Sequence, residues 1–265
     1  MGMLNITDPF HHEGLGQRFV GKVVLVTGAA SGIGKATALR LAAEGATTWC
    51  VDVNQAGVEA TAAEITAGGG TARASVVDIT DHAACAALVQ ETVDTFGGLD
   101  VLCNIAGIGG SAHSTEESPE RFNLMFAVNA GGAFNLIQAA LPHLLESQGN
   151  VLNLASTAGM IGQAYCAAYC ASKHALVGLT KALAIEYGRN NVRFNAVCPG
   201  GVNTGLLSAF TPPEGASMSL VARGFLTRDM QEPESVAALI AHVASDEAYY
   251  LNGAVLAVDG GTTTG

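Results

Sequence analysis

The chain has 265 residues, 49% of them hydrophobic and only 13% charged, where an average soluble protein carries roughly 25% charged residues. Its 12 Lys and Arg are outnumbered by 23 Asp and Glu, and a net charge of −11 with no basic cluster argues against nucleic acid and anionic membranes as partners. So few charges over so much apolar sequence suggest a surface partly buried against other subunits.

A polar lead of about 20 residues reads as an N-terminal extension (1–20). Residues 22–27 (KVVLVT) then form a near-continuous Val/Leu run, the pattern of a strand buried on both faces of a parallel sheet. Residues 33–44 follow with helical periodicity, and Gly45 fits the stop. The alternation repeats: strand 48–53 and helix 56–67, then strand 75–79 and helix 83–96. Strands 99–105 and 151–155 flank one long helix over 119–145. Helix 165–187, strand 192–197, helix 234–245 and strand 254–258 complete the pattern. This predicts an α/β chain: one doubly wound Rossmann-type domain over 21–265, with about seven parallel strands and helices on both faces. The stretch 204–231, with Pro212, Pro213 and apolar residues of no clear period, is expected to be a substrate lid.

No apolar run approaches the roughly 18–20 residues of a membrane span, and the first residues lack the basic and apolar regions of a signal peptide. Ile6 breaks the myristoylation pattern that begins at Gly2. Six scattered cysteines without a CxxC pair are expected to be reduced thiols in a cytoplasmic protein. Neither they nor the seven histidines have metal-ligand spacing, so no metal is expected.

Between the first strand and first helix lies Thr27-Gly28-Ala29-Ala30-Ser31-Gly32-Ile33-Gly34. Glycines there let backbone approach a pyrophosphate at a helix N-terminus, although tight turns also need glycine for steric reasons alone. Asp52 ends the second strand, 24 residues after Gly28, where a carboxylate binds both ribose hydroxyls of an adenosine. It would repel a 2′-phosphate, and neither Ser31 nor Val53 supplies positive charge, so NAD is favoured over NADP; the alternative is a simple turn with Asn54. Asp78, near the end of the third strand, is placed either to reach an adenine amino group or to cap a helix.

Tyr169 and Lys173 lie four apart on one helix face. A phenol with a pKa of about 10 becomes a base near neutrality only if neighbouring positive charge stabilises its anion. Ser156 ends the fifth strand, at the carboxyl edge where such sheets bind ligands. Asn129, in an apolar helix, is either a buried amide bonded to backbone or a water anchor in a proton path.

This constellation resembles the short-chain dehydrogenase/reductase family from residue 22 to residue 261. The TGxxxGxG loop is complete at 27–34, and Asn104-Ile105-Ala106-Gly107 resembles the segment after the fourth strand, with Ile105 inserted. Asn129, Ser156 and the YxxxK pair Tyr169/Lys173 match the catalytic set, with the usual thirteen residues from Ser156 to Tyr169. Pro199-Gly200 and Val258-Asp259-Gly260-Gly261 match later signatures. The resemblance implies Tyr169 as general acid/base, Lys173 lowering its pKa and binding ribose, Ser156 orienting the carbonyl, and Asn129 holding a water. It implies cofactor contacts from Gly28, Ser31, Gly32, Ile33, Gly34, Asp52, Val53, Asp78, Ile79, Asn104, Ala106, Gly107, Tyr169, Lys173, Pro199, Val202 and Thr204. The expected activity is hydride transfer between NAD(H) and a secondary alcohol or ketone, in a homotetramer packed through the two long helices. An NADPH-dependent 3-oxoacyl reductase and a non-catalytic dinucleotide sensor are the rivals. The pocket is expected from 111–114, 160–165, Val202 and the lid, largely apolar with His113, Gln163 and Tyr165 as polar contacts.

Overall fold

The five residues Val23–Thr27 (β1) are all buried because their side chains alternate between two cores. In the computed structural model, which describes residues 16–224 and 230–264, β1 lies inside a seven-stranded parallel sheet of order β3-β2-β1-β4-β5-β6-β7. The other strands are β2 (Thr47–Asp52), β3 (Thr71–Val76), β4 (Val101–Asn104), β5 (Asn150–Leu154), β6 (Arg193–Pro199) and β7 (Val255–Val258). Val24 and Val26 face a core shared with α1 (Gly32–Ala43), α2 (Gln55–Ala67) and α8 (Pro233–Ala244). Val23 and Leu25 face the opposite core, shared with α3 (His82–Phe96), α5 (Ala133–Ser147) and α6 (Ala167–Tyr187). The doubly wound architecture is therefore as expected, and the strand order reverses between β1 and β4, which opens a crevice at their carboxyl ends.

Leu136 on α5 has no exposed surface and packs under the sheet. Leu136→Ala is expected to cost about 2–5 kcal/mol, the usual range for a core leucine. A urea titration checks this: the midpoint falls while the slope stays fixed.

Four sequence-based boundaries shift. The third strand is Thr71–Val76 rather than 75–79. It is an edge strand held by pairing to β2 alone, so it needs no apolar run, and the apolar signal belonged to Ile79, which is 7% exposed and packs on Gly132 from the loop. The helix expected over 119–145 is interrupted: α4 (Pro119–Phe126) passes through a π-helical turn, Ala127–Gly132, into α5. α6 starts at Ala167 rather than 165, because Tyr165 sits at φ +65°, outside the helical region.

The boundary at residue 20 is also crossed. Phe19 is a core residue, and Arg18 together with Arg40 clamps the fully buried Glu44 carboxylate, holding it below the usual glutamate range despite its burial. The rest of the extension (1–15), with the features noted around Gly2 and Ile6, lies outside the described residues, as do Phe225 and Leu226 of the lid.

One stretch, Pro119–Ser147, does reach the length and apolarity of a membrane span, with a mean hydropathy of 1.4. Here its inward face (Met125, Leu136, Ile137, Leu144) is protein core, while Phe122, Leu124 and Phe134 are exposed.

Candidate active site

The crevice is built on close backbone packing. Gly28 has φ +70°, and a Cβ there would lie 2.9 Å from the Ala106 nitrogen; one on Gly34 would lie 2.0 Å from the Gly28 oxygen. Those two glycines are thus required by the loop itself, whether or not a ligand binds. The helix start is more telling. Ser31 occupies the N-cap position of α1 but makes no capping bond, so the first-turn amides of Gly32, Ile33 and Gly34 have no side-chain acceptor there. An uncapped helix N-terminus flanked by glycine is a site for a phosphate group. Gly32, at φ +52°, faces Thr204, whose methyl would lie 3.0 Å from an added Cβ. Thr204 therefore closes over the loop from the lid side.

The Asp52 carboxylate accepts bonds from the Ala30 amide (3.1 Å) and the Asn54 amide (2.9 Å). The turn with Asn54 is real, yet Asp52 also joins the glycine loop to the end of β2, with Val53 exposed beside it. Asp78 behaves differently: its carboxylate accepts from the Thr80 amide and hydroxyl, which holds it below the usual aspartate range. The cap of α3 is Asp81 instead. Ile79 points into the core, and its carbonyl accepts from Asn135.

Thr27 ties this edge together: its hydroxyl accepts from the Ile105 and Ala106 amides at 2.9 and 3.0 Å. Asn104 is 4% exposed and donates to Asn153, leaving its own Oδ1 buried without a protein partner. Gly107 lies between Asn129 and Lys173, with an added Cβ 3.0 Å from the Asn129 oxygen and 3.4 Å from Lys173 Nζ.

Tyr169 and Lys173 are both buried on α6. Lys173 Nζ donates to the Leu154 carbonyl at 2.7 Å and sits 5.8 Å from the centre of the Tyr169 ring. Burial pulls the lysine down to about 8. Burial also pushes the phenol up, to about 12, against the opposing effect of the Ser156 hydroxyl. In the protein alone, desolvation is the largest influence on the phenol. Ser156 Oγ accepts from the Ala158 amide at 3.1 Å, which leaves its own proton to donate.

The side chain of Asn129 makes the bonds of a buried amide. Its Oδ1 accepts from the Ile108 amide, and its Nδ2 donates to the Ile108 carbonyl and to Ser172 Oγ, all at 2.9 Å. Ser172 Oγ in turn donates to the Tyr169 carbonyl at 2.8 Å. Both amide hydrogens are spent on these partners. Asn129 lies within the π-helical turn.

Ser156, Tyr169, Lys173, Gly107, Pro199, Val202 and Thr204 all line one cavity of about 500 Å³. Ile108, Ile161, Leu206, Leu207, Phe210 and Leu220 make most of its remaining wall apolar. Phe210 packs edge-on against Tyr169, with ring centres 5.0 Å apart. Thr262, from the C-terminal turn, also lines it and was not expected; no motif in the sequence marks it. Among the described residues, no cluster of His, Cys, Asp and Glu could hold a metal. All six cysteines are free, and burial pushes Cys103 up to about 12, so it behaves as an inert apolar residue.

A family model described as Enoyl-(Acyl carrier protein) reductase matches residues 28–263. The chain belongs to the short-chain dehydrogenase/reductase family. It is 39% identical to meso-2,3-butanediol dehydrogenase of Serratia marcescens, over 93% of this chain and 96% of the relative. It is 37% identical to cyclohexanol dehydrogenase of an Acinetobacter species, over 94% and 98%. The crystal structure of a 3-ketoacyl-(acyl-carrier-protein) reductase from Brucella melitensis, complexed with NADH, superimposes with a TM-score of 0.82 at 34% identity, covering 92% of this chain and 99% of that one. As a member of this family the chain is an oxidoreductase that uses a nicotinamide dinucleotide.

Proposed function

We infer that this short-chain dehydrogenase/reductase transfers hydride between NAD(H) and a compact, largely apolar secondary alcohol or its ketone, with Tyr169 as general acid/base. The observation that carries the reading is the convergence of Tyr169, Ser156 and Lys173 on one apolar cavity, at the sheet edge where an uncapped helix start and Asp52 frame a dinucleotide site. The butanediol and cyclohexanol dehydrogenases among the relatives support a small secondary alcohol. Asp52 supports NAD rather than NADP, as does the NADH bound in the Brucella melitensis structure.

The residues of the chain divide the work. Amides of Gly32, Ile33 and Gly34 would hold the pyrophosphate, Asp52 the adenosine ribose, and Lys173 the nicotinamide ribose through the two N–H groups not given to Leu154. When bound, the nicotinamide supplies the hydride acceptor or donor and, if oxidised, a positive charge beside the phenol. Ser156 donates to the substrate oxygen. In alcohol oxidation the Tyr169 oxygen takes the carbinol proton, and in ketone reduction it returns one. Asn129 is a positioning residue that fixes Ile108 and Ser172 behind Tyr169. The apolar wall excludes water from this exchange.

The test is NADH formation from NAD⁺ across a panel of cyclic and short acyclic secondary alcohols, with 3-hydroxyacyl thioesters and NADP⁺ in parallel. Turnover confined to thioesters and NADP⁺ makes the chain a 3-oxoacyl reductase. Tight NADH binding with no turnover at all makes it a sensor.

The exposed Phe122, Leu124, Phe134 and Ile185 lie on α4, α5 and α6, the long helices that the tetramer reading assigns to subunit contacts. A homotetramer is expected in solution, and light scattering that gives a monomer mass overturns it. Six free thiols support a reducing, cytoplasmic setting.

A further inference from the structure

The described part of the lid up to residue 224 buries little apolar surface. Leu206 is 38% exposed, Met218 60% and Leu220 45%, and among the described lid residues only Phe210 makes a ring contact with the floor of the cavity. Both ends of the lid are anchored, since Val202 pairs with Gln231 and the Asn203 amide donates to the Gln231 carbonyl at 2.8 Å. The middle is held differently. Three side chains outside the lid bond its backbone at three points. Ser111 Oγ donates to the Thr211 carbonyl at 2.6 Å, His113 Nε2 to the Glu214 carbonyl at 2.8 Å, and the Ser217 amide donates to the Tyr165 hydroxyl at 2.8 Å.

His113 and Tyr165 brace each other. Their rings meet edge to face with centres 5.2 Å apart, and the Ala112 amide donates to the Tyr165 carbonyl at 2.8 Å. Tyr165 holds φ +65°, a conformation disfavoured for a bulky residue. Glycine would take that conformation freely, but it would have neither ring nor hydroxyl. The structure thus keeps a strained tyrosine where its oxygen reaches the lid and its ring lines the cavity.

We propose that His113 and Tyr165 are specificity-determining residues: by fastening 211–217 from outside the lid, they keep the cavity roofed over compact substrates and shut out long alkyl or acyl chains. The proposal rests on the secondary alcohol/ketone reading and names the substrate size it admits. Part of the 500 Å³ lies beside Ile33, Pro199, Gly200 and Thr204, where the nicotinamide end of the dinucleotide would sit. What remains suits a small ring or a short branched alcohol. A longer chain would have to leave through the roof, and lifting 214–217 breaks the two bonds to Glu214 and Ser217 while the Ser111 bond still holds Thr211.

Two measurements on the full chain test this. Hydrogen exchange reads the latch without any substrate: the peptide containing 211–217 is expected to exchange roughly five- to tenfold faster in Tyr165→Phe, the effect of losing about one hydrogen bond. The same is expected of His113→Ala, while β1 and β4 peptides stay unchanged. Kinetics then read the specificity on cyclohexanol and a homologous series of 2-alkanols. Wild-type kcat/KM should fall steeply with chain length, and the long-to-short ratio should rise roughly five- to tenfold in Tyr165→Phe, and further in the double variant. Phenylalanine keeps the ring and the packing, so a folding defect is separable from the lost bond.

Unchanged lid exchange in both variants overturns the latch. Faster exchange with an unmoved chain-length preference overturns its role in specificity. A wild-type enzyme inert on every alcohol tells against the proposed function, and the exchange experiment still decides the latch.

Discussion

Tyr169→Phe is expected to lower kcat for alcohol oxidation by about 10³-fold, within the range lost with a general acid/base, while NADH still binds. The phenyl ring remains against Phe210 and the hydroxyl alone is removed, so the change reports the proton transfer rather than the fold. The pH dependence carries a sign. In the protein alone, burial holds the phenol at about 12 and lysine at about 8. Oxidation needs the phenolate, so its kcat/KM is expected to rise with pH and level off where the phenol of the enzyme–NAD⁺ complex has ionised. A plateau well below 12 would measure how far the cofactor's positive charge lowers the phenol. Reduction needs the neutral phenol, and because the reduced nicotinamide carries no positive charge its rate should fall only at higher pH, toward 12. A Tyr169→Phe variant with wild-type kcat refutes the assignment of Tyr169.

The second large effect concerns the choice of dinucleotide. Asp52→Ser is expected to move the NADH-to-NADPH affinity ratio by about 10²-fold toward NADPH. Opposite a 2′-phosphate the carboxylate is a like charge, and at about 4 Å and an effective dielectric near 20 such a pair costs up to about 4 kcal/mol. The variant also loses the bond from Ala30, so some affinity for both nucleotides should fall with the tie between loop and strand. Fluorescence titration with NADH and NADPH measures both effects. Wild-type protein that binds NADPH more tightly overturns the NAD assignment.

The buried strands were legible because burial on both faces leaves continuous Val, Leu and Cys runs, as in β1 and β4. β3 was misplaced because an edge strand is specified by pairing to β2, and Thr71-Ala72-Arg73-Ala74 carries no such run. The catalytic set was legible as spacing, since Tyr169 and Lys173 share a helix face whatever surrounds them. The state of ionisation was not, because desolvation depends on what packs over the pair, and Phe210 comes from a stretch with no period. Asn129 shows the same limit: its partner Ile108 is 21 residues away in sequence. The latch is further still from the sequence, as it joins side chains at 113 and 165 to backbone atoms at 214 and 217.

The pairing of Val202 with Gln231 makes the lid a loop whose ends are already closed before any substrate arrives. Once a loop's ends are fixed, doubling its length costs only about 0.6 kcal/mol in chain entropy. Insertions and deletions beyond Phe210, which packs on Tyr169, are therefore nearly free for the fold, and the strands beneath Tyr169, Ser156 and Lys173 do not register them. The scaffold separates a part that must stay fixed for chemistry from a part that can be exchanged whole. A chain with this arrangement can acquire a new substrate by replacing one segment and leave its hydride-transfer machinery untouched.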